Sequence, residues 1–211
     1  MTRLTIVRHG ETEWNAAHRV QGQLDVPLSA VGRAQARAVA RALAGEKYSA
    51  VYSSDLSRAL ETAAGCAKQL GLDPVLDARL RERHYGIFQT LTYADVKVRY
   101  PEDYARFLRH DPDFDFRTGE SLRAFNERSL ACIADLVARH PGEDLLVFTH
   151  GGVLDMLYRH ATGMELSAER DFRIPNCAIN RLESGPQGWR IGCWAEEAHL
   201  SGALDDLKEE D

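Results

Sequence analysis

Two apolar runs, each delivering a histidine followed by glycine, constrain this chain more than any other feature. The first is "LTIVRHGETEWN" (residues 4–15): four residues of strand character, then Arg8, His9 and Gly10. The second is "LLVFTHGG" (145–152): a similar run, then Thr149, His150, Gly151 and Gly152. Short apolar runs bounded by glycine and rich in β-branched or aromatic residues read as strands buried on both faces. Such strands need helices on either side of their sheet, and the chain supplies them. "LSAVGRAQARAVARALAG" has Ser29 as N-cap and Gly45 as stop, and "SDLSRALETAAGCAKQLG" runs from Ser54 or Asp55 to Gly71. "SLRAFNERSLACIADLVARHPG" is a third helical pattern, and "GVLDMLYRHATG" follows His150. Further strand-like runs cover 50–52, 178–182 and 189–193. The last two flank "ESGPQG" and form a hairpin at an antiparallel edge. Strand–helix alternation of this kind predicts an α/β fold with a mostly parallel sheet.

Residues 84–118 break the alternation. They are rich in aromatics, charges and Asp-Pro, and read as a small helical and loop insertion, a lid over one end of the sheet. The expected organisation is one domain over 1–211 carrying that insertion. The tail "DDLKEED" is acidic and expected to fray. A net charge of −6 argues against a nucleic-acid partner. With no run of about 18 apolar residues and no signal-peptide pattern, no membrane partner and a cytoplasmic location are the expectation. Cys66, Cys132, Cys177 and Cys193 are widely spaced, without C-x-x-C, and read as small buried thiols.

Ligands of open α/β sheets sit beyond the carboxyl ends of the strands. Arg8 and His9 end one strand and His150 ends another. "YSSDLSRALET" places Arg58 in the first turn of the helix after a third. Two arginines and two histidines at strand tips suit a phosphoryl group, whose oxygens match guanidinium forks. The arginine charge keeps His9 neutral and its lone pair available for in-line attack on phosphorus. Arg8, Arg58 and His150 then stabilise charge on the transferring group. The glycines after each histidine, Gly151 among them, let backbone N–H groups approach an anion. Asn15, one helical turn past Glu11, adds a donor. Glu82, in "LRERHYG", is the candidate acid for the leaving alkoxide and the base for the water that follows. Tyr85 is placed to shape the pocket. Tyr93 and Tyr104 read as helix-face packing, and His84 and His110 as non-catalytic.

These residues, in "IVRHGETEWN", "GQLDVPLSAVGRAQA", "VYSSDLSRALETA", "LRERHYG", "GESL" and "VFTHGG", resemble the histidine phosphatase superfamily, also called the phosphoglycerate mutase-like family. The resemblance implies a three-layer α/β/α sandwich, phosphorylation at His9, and a phosphate pocket of Arg8, Arg58 and His150. It also implies Glu82 as proton donor, Asn15 and Thr12 lining the pocket, and no metal or other cofactor. The expected partner is a small phosphorylated substrate, and a homodimer is common for such domains. "ERHYG" and Gln89 are similar to bisphosphoglycerate-dependent mutases. The short span from Glu82 to His150, "GESL", and Arg106, Arg109 and Arg117 scattered in place of a paired-arginine stretch are phosphatase-like. Thr90 stands where many phosphatases of the family carry glycine. The expectation is a metal-independent phosphomonoesterase, with a phosphoglycerate mutase as alternative and a non-catalytic phospho-ligand module as a minor one.

Overall fold

A computed structural model describes residues 1–203. The acidic tail expected to fray lies outside the described residues. The sheet has six strands in the order β3-β2-β4-β1-β5-β6. They are β1 (Thr2–Arg8), β2 (Ala50–Ser53), β3 (Val75–Leu76), β4 (Asp144–Thr149), β5 (Ile179–Gly185) and β6 (Gly188–Glu196). The four from β3 to β1 are parallel; β5 runs antiparallel to β1, and β6 antiparallel to β5. The hairpin and its edge position are as the sequence implies. Strand β3 had no sequence signal, because two exposed residues show no periodicity.

The period-2 alternation of the central strands divides the core into two layers. Leu4 and Ile6 of β1, with Leu145 and Val147 of β4, face α6 (Leu122–Arg139) and α7 (Gly151–Thr162). Val7, Leu146 and Phe148 face the other side, against α2 (Ala30–Leu43) and α3 (Ser57–Leu70). Each fully buried Leu, Ile or Phe contributes roughly 1.5–3 kcal/mol by leaving water. The helices start where the sequence caps them. The Ser29 hydroxyl accepts from the Gly32 amide, and Ser121 does the same for Ala124 at the head of α6. Helix α3 begins slightly later than expected, at Ser57 after an uncapped Leu56, and ends on a left-handed Gly71. Cys66, Cys132 and Cys177 are buried and none of the four cysteines is paired; burial pushes the Cys66 and Cys132 thiols up to about 12.

Residues 84–118 form α4 (Tyr93–Arg99), α5 (Pro101–Leu108) and tight turns. They build an aromatic cluster of their own, with Phe88, Phe114 and Phe116 buried and Tyr104 packed against them. Thr92 and Asp95 cap α4 reciprocally, and Pro101 opens α5. Thr90 adopts φ +75°, the left-handed region that glycine enters freely and a β-branched residue does not. It is held there by its amide donating to the Val20 carbonyl at 3.0 Å and by its own carbonyl accepting from Arg19. Thr90→Gly relieves that strain, and a denaturant melt should show a gain of about 1 kcal/mol. An unchanged or lower stability would mean the turn carries no such cost.

Candidate active site

Strand register builds the site. Arg8 lies opposite Thr149 across the β1–β4 pair, and Ser53 opposite Phe148 across β2–β4. His9 and His150 therefore arrive at the same level, and Ser54 one position behind them, level with Thr149. The His9 amide continues the ladder to the Thr149 carbonyl at 2.9 Å, and the Ser54 amide to Phe148 at 3.0 Å. The two imidazoles face each other with centroids 5.1 Å apart and planes at 58°. Residues separated by 141 positions in sequence thus share one well.

Hydrogen bonds assign the imidazole protons. His9 Nδ1 lies 2.7 Å from the Gly10 carbonyl oxygen, which can only accept, so Nδ1 carries the proton and Nε2 the lone pair. Burial first, then the Arg58 and Arg8 charges, hold His9 well below the usual imidazole range, so it is neutral at pH 7. His150 is fully buried and lowered likewise, by burial and then by Arg58. Its Nε2 sits 2.8 Å from Ser54 Oγ. That hydroxyl also accepts from the Leu56 amide at 3.4 Å, and it pairs with either tautomer of the ring. Nδ1 has no partner.

The arginines are anchored and incomplete in the same way. Arg58, 1% exposed, gives Nη1 to the Leu24 carbonyl at 2.8 Å and Nη2 to Gly22 at 2.7 Å. Arg8 gives Nη1 to the Ile174 carbonyl. The Nε atoms of both are buried without an acceptor. Burial lowers the pKa of both guanidiniums, that of Arg58 to about 10. An unpaired buried donor costs about 1–3 kcal/mol. Two of them, on Arg8 and Arg58, and the unpaired His150 Nδ1 accompany one neutral imidazole. An anion with several oxygens satisfies all three.

Glu82 stands on the loop after β3, with both oxygens engaged: Oε2 accepts from the Gly152 amide at 3.0 Å and Oε1 from Arg83 at 2.8 Å. A Cβ at Gly152 would lie 2.1 Å from Glu82 Oε1, so a larger residue there would displace the Glu82 carboxyl. Arg128 of α6 braces the loop. It donates to the carbonyls of Arg79 and Arg81 at 2.7 and 3.1 Å and clasps Glu120 of "GESL" through Nε and Nη2 at 2.7 and 2.8 Å.

The polar cavity above the well has a volume of about 260 Å³. Its wall includes Arg8, His9, Arg58, Glu82, Asn15, Tyr85 and Gly151, as the sequence reading expected. His150 lies just behind that wall, fully buried. Asn15 keeps Oδ1 on the Thr12 amide and hydroxyl, which leaves its NH₂ for the cavity. One expectation is corrected. Thr12 does not line the cavity: it is 0% exposed and its hydroxyl caps α1 (Glu13–Ala16) by accepting from the Asn15 amide. Tyr93 packs as expected, its ring stacked on Phe107 with centroids 6.0 Å apart, and also lines the cavity. Arg19, Asp155 and Arg170 also line it and were missed. Asp155 was within reach of sequence reasoning, since it lies one helical turn past Gly151 on α7. Arg170 follows no repeat and had no signal.

Two buried neutral histidines make stability depend on pH. The unfolded chain binds their protons below about 6.5, whereas the fold resists them. Their contribution is therefore complete above 6.5 and lost as pH falls through the depressed folded values. His110 and His199 act in the same direction. Thermal melts of the ligand-free protein should show Tm falling from pH 7 to 5, less steeply in a His9→Gln variant; a flat profile would contradict buried neutral imidazoles.

This fold and this cluster define a phosphate-handling α/β enzyme site, and similarity gives the lineage. The family model of the histidine phosphatase superfamily (branch 1) matches residues 4–197, and the chain belongs to that superfamily. Phosphoglycerate mutase-like protein 4 of Arabidopsis thaliana is 42% identical, over 93% of this chain and 86% of its own length. A metal-independent phosphoserine phosphatase of the same plant is 38% identical, over 95% and 84%. The solved structure of a mycobacterial glucosyl-3-phosphoglycerate phosphatase with VO3 superposes with a TM-score of 0.82 at 32% identity, covering 92% of this chain and 99% of that one.

Proposed function

We propose that the protein is a metal-independent phosphomonoesterase that hydrolyses a small phosphorylated metabolite through a phosphohistidine on His9. The observation that carries this reading is the set of three orphaned buried nitrogens, on Arg8, Arg58 and His150, beside a neutral imidazole whose Nε2 bears the lone pair. His9 Nε2 attacks phosphorus in line, the P–O bond to the alcohol breaks, and Glu82 gives the alkoxide its proton. The Nε–H groups of Arg8 and Arg58, the His150 Nδ1–H and the head of α7 stabilise the charge on the equatorial oxygens. Water then attacks phosphohistidine, Glu82 takes its proton, and His9 leaves as the neutral ring. The Gly10 carbonyl holds the attacking tautomer throughout.

The mutase alternative draws on relatives named as phosphoglycerate mutases. It requires that phosphohistidine outlast water until a second acceptor arrives. The short insertion over the cavity and the phosphatase relatives support hydrolysis. The test is release of phosphate from an aryl phosphate in EDTA, beside an assay for interconversion of 2- and 3-phosphoglycerate. Hydrolysis unaffected by the chelator, without interconversion, supports the proposal. Loss of activity in EDTA, or interconversion without hydrolysis, contradicts it.

A further inference from the structure

Two peptide planes follow His9, and side chains from three parts of the chain pin both. In the first, His9–Gly10, the His9 carbonyl accepts from Asn176 Nδ2 at 2.9 Å and the Gly10 amide donates to Thr62 Oγ1 at 3.0 Å. Thr62 gives its own proton to the Arg58 carbonyl at 2.6 Å, which ties this plane to α3. In the second, Gly10–Glu11, the Gly10 carbonyl accepts from His9 Nδ1, and the Glu11 amide donates to Oε1 of Gln35 at 2.9 Å. Gln35 belongs to α2, whose other contacts are those of a packed helix, and it stands outside the cavity wall. The helix comes close enough because Gly32 lies against the turn. A Cβ there would stand 2.0 Å from the Glu11 carbonyl oxygen, which also accepts from the Ser29 amide at 2.9 Å. Gln35, three residues past Gly32, is on the same face of the helix.

A trans peptide is planar, so its C=O and N–H point in opposite directions. Fixing the Glu11 N–H on Gln35 therefore fixes the Gly10 C=O on His9. Gly10 itself does not resist rotation of the plane, having no Cβ, and a Cβ there would fall 2.6 Å from the Gly32 carbonyl oxygen. Were the plane to turn over, an N–H would face His9 Nδ1 in place of a carbonyl. Nδ1 would then accept, the proton would sit on Nε2, and the attacking nitrogen would have no lone pair.

We propose that Gln35 is a positioning residue for the nucleophile: by holding the Glu11 amide it keeps the Gly10 carbonyl on His9 Nδ1 and the lone pair on Nε2. This inference rests on the reading of His9 as nucleophile. Two variants isolate it. Gln35→Met keeps the length of the side chain and removes the acceptor oxygen; Gln35→Glu keeps an oxygen for the amide. Two readouts are needed, kcat/KM on an aryl phosphate and nitrogen-15 NMR of the imidazoles in the ligand-free protein at neutral pH, with His9→Gln assigning the His9 signals. The wild type should carry the His9 proton on Nδ1. In Gln35→Met kcat/KM should fall by about 10-fold or more, the worth of one hydrogen bond favouring the attacking tautomer. The proton should then be shared between Nδ1 and Nε2, while inorganic phosphate inhibits as it does the wild type. Gln35→Glu should keep the proton on Nδ1 and most of the rate. The inference is overturned if Gln35→Met keeps the wild-type rate, if its rate falls with the proton still confined to Nδ1, or if its phosphate affinity falls as far as its rate. If the wild type hydrolyses no ester but the tautomer still shifts in Gln35→Met, the nucleophile reading falls and the hold of Gln35 on the tautomer stands. Where Gln35→Met does not fold, the other two proteins decide: Nδ1–H in the wild type and in an active Gln35→Glu supports the inference, and a proton on Nε2 in either overturns it.

Discussion

His9→Ala should abolish turnover, with phosphate release from an aryl ester falling by about 10⁴-fold or more, as expected when a covalent nucleophile is removed. The size of the effect follows from the geometry. No second nucleophile stands in position: His150 lies fully buried behind the cavity wall, with its Nε2 on Ser54. The substitution leaves Arg8, Arg58 and His150 in place, so inorganic phosphate should still bind and still raise Tm. Lost turnover with retained binding identifies the nucleophile and separates it from a misfolded chain. A variant with near wild-type turnover would remove His9 from the chemistry.

Glu82→Gln carries the second large effect. An alkyl ester releases an alkoxide that needs a proton, whereas a nitrophenyl ester releases a stable anion. Loss of a general acid typically costs about 10²–10⁴-fold. The variant should show a loss of that size on an alkyl phosphate and a clearly smaller one on a nitrophenyl ester. Glutamine keeps two polar atoms near the Gly152 and Arg83 amides, so the loop that Arg128 and Glu120 brace need not move. Equal losses on both esters would assign Glu82 to positioning rather than proton transfer.

Much of this site was legible in the sequence because strand tips are legible. An apolar run says where a parallel strand ends, and the rule that ligands gather at those ends joins Arg8, His9, Arg58 and His150 across the chain. Glu82 was found by its motif, not by periodicity, since the loop around it has none. What was missed has physical causes. Thr12 was assigned to the pocket through the family resemblance alone, yet a threonine before a short helix is first an N-cap, and its hydroxyl is spent there. Tyr93 packs as assigned, but its second place in the cavity wall depends on how the insertion folds around an aromatic cluster in which Phe88 is far in sequence from Phe114 and Phe116. Asp155 and Arg170 line the cavity from α7 and the loop after it, where no strand ends and no motif repeats. The two-residue β3 is fixed by pairing with β2 alone.

The most direct measurement is chemical trapping of the intermediate. The protein is mixed with an aryl phosphate, quenched within the first turnovers in alkali, digested and read by mass spectrometry. A single phosphoryl group on the peptide bearing His9, stable in base, labile in acid and missing from the His9→Ala variant, is the predicted result. Steady hydrolysis with no phosphorylated peptide, or a phosphoryl group on His150 instead, would contradict the account.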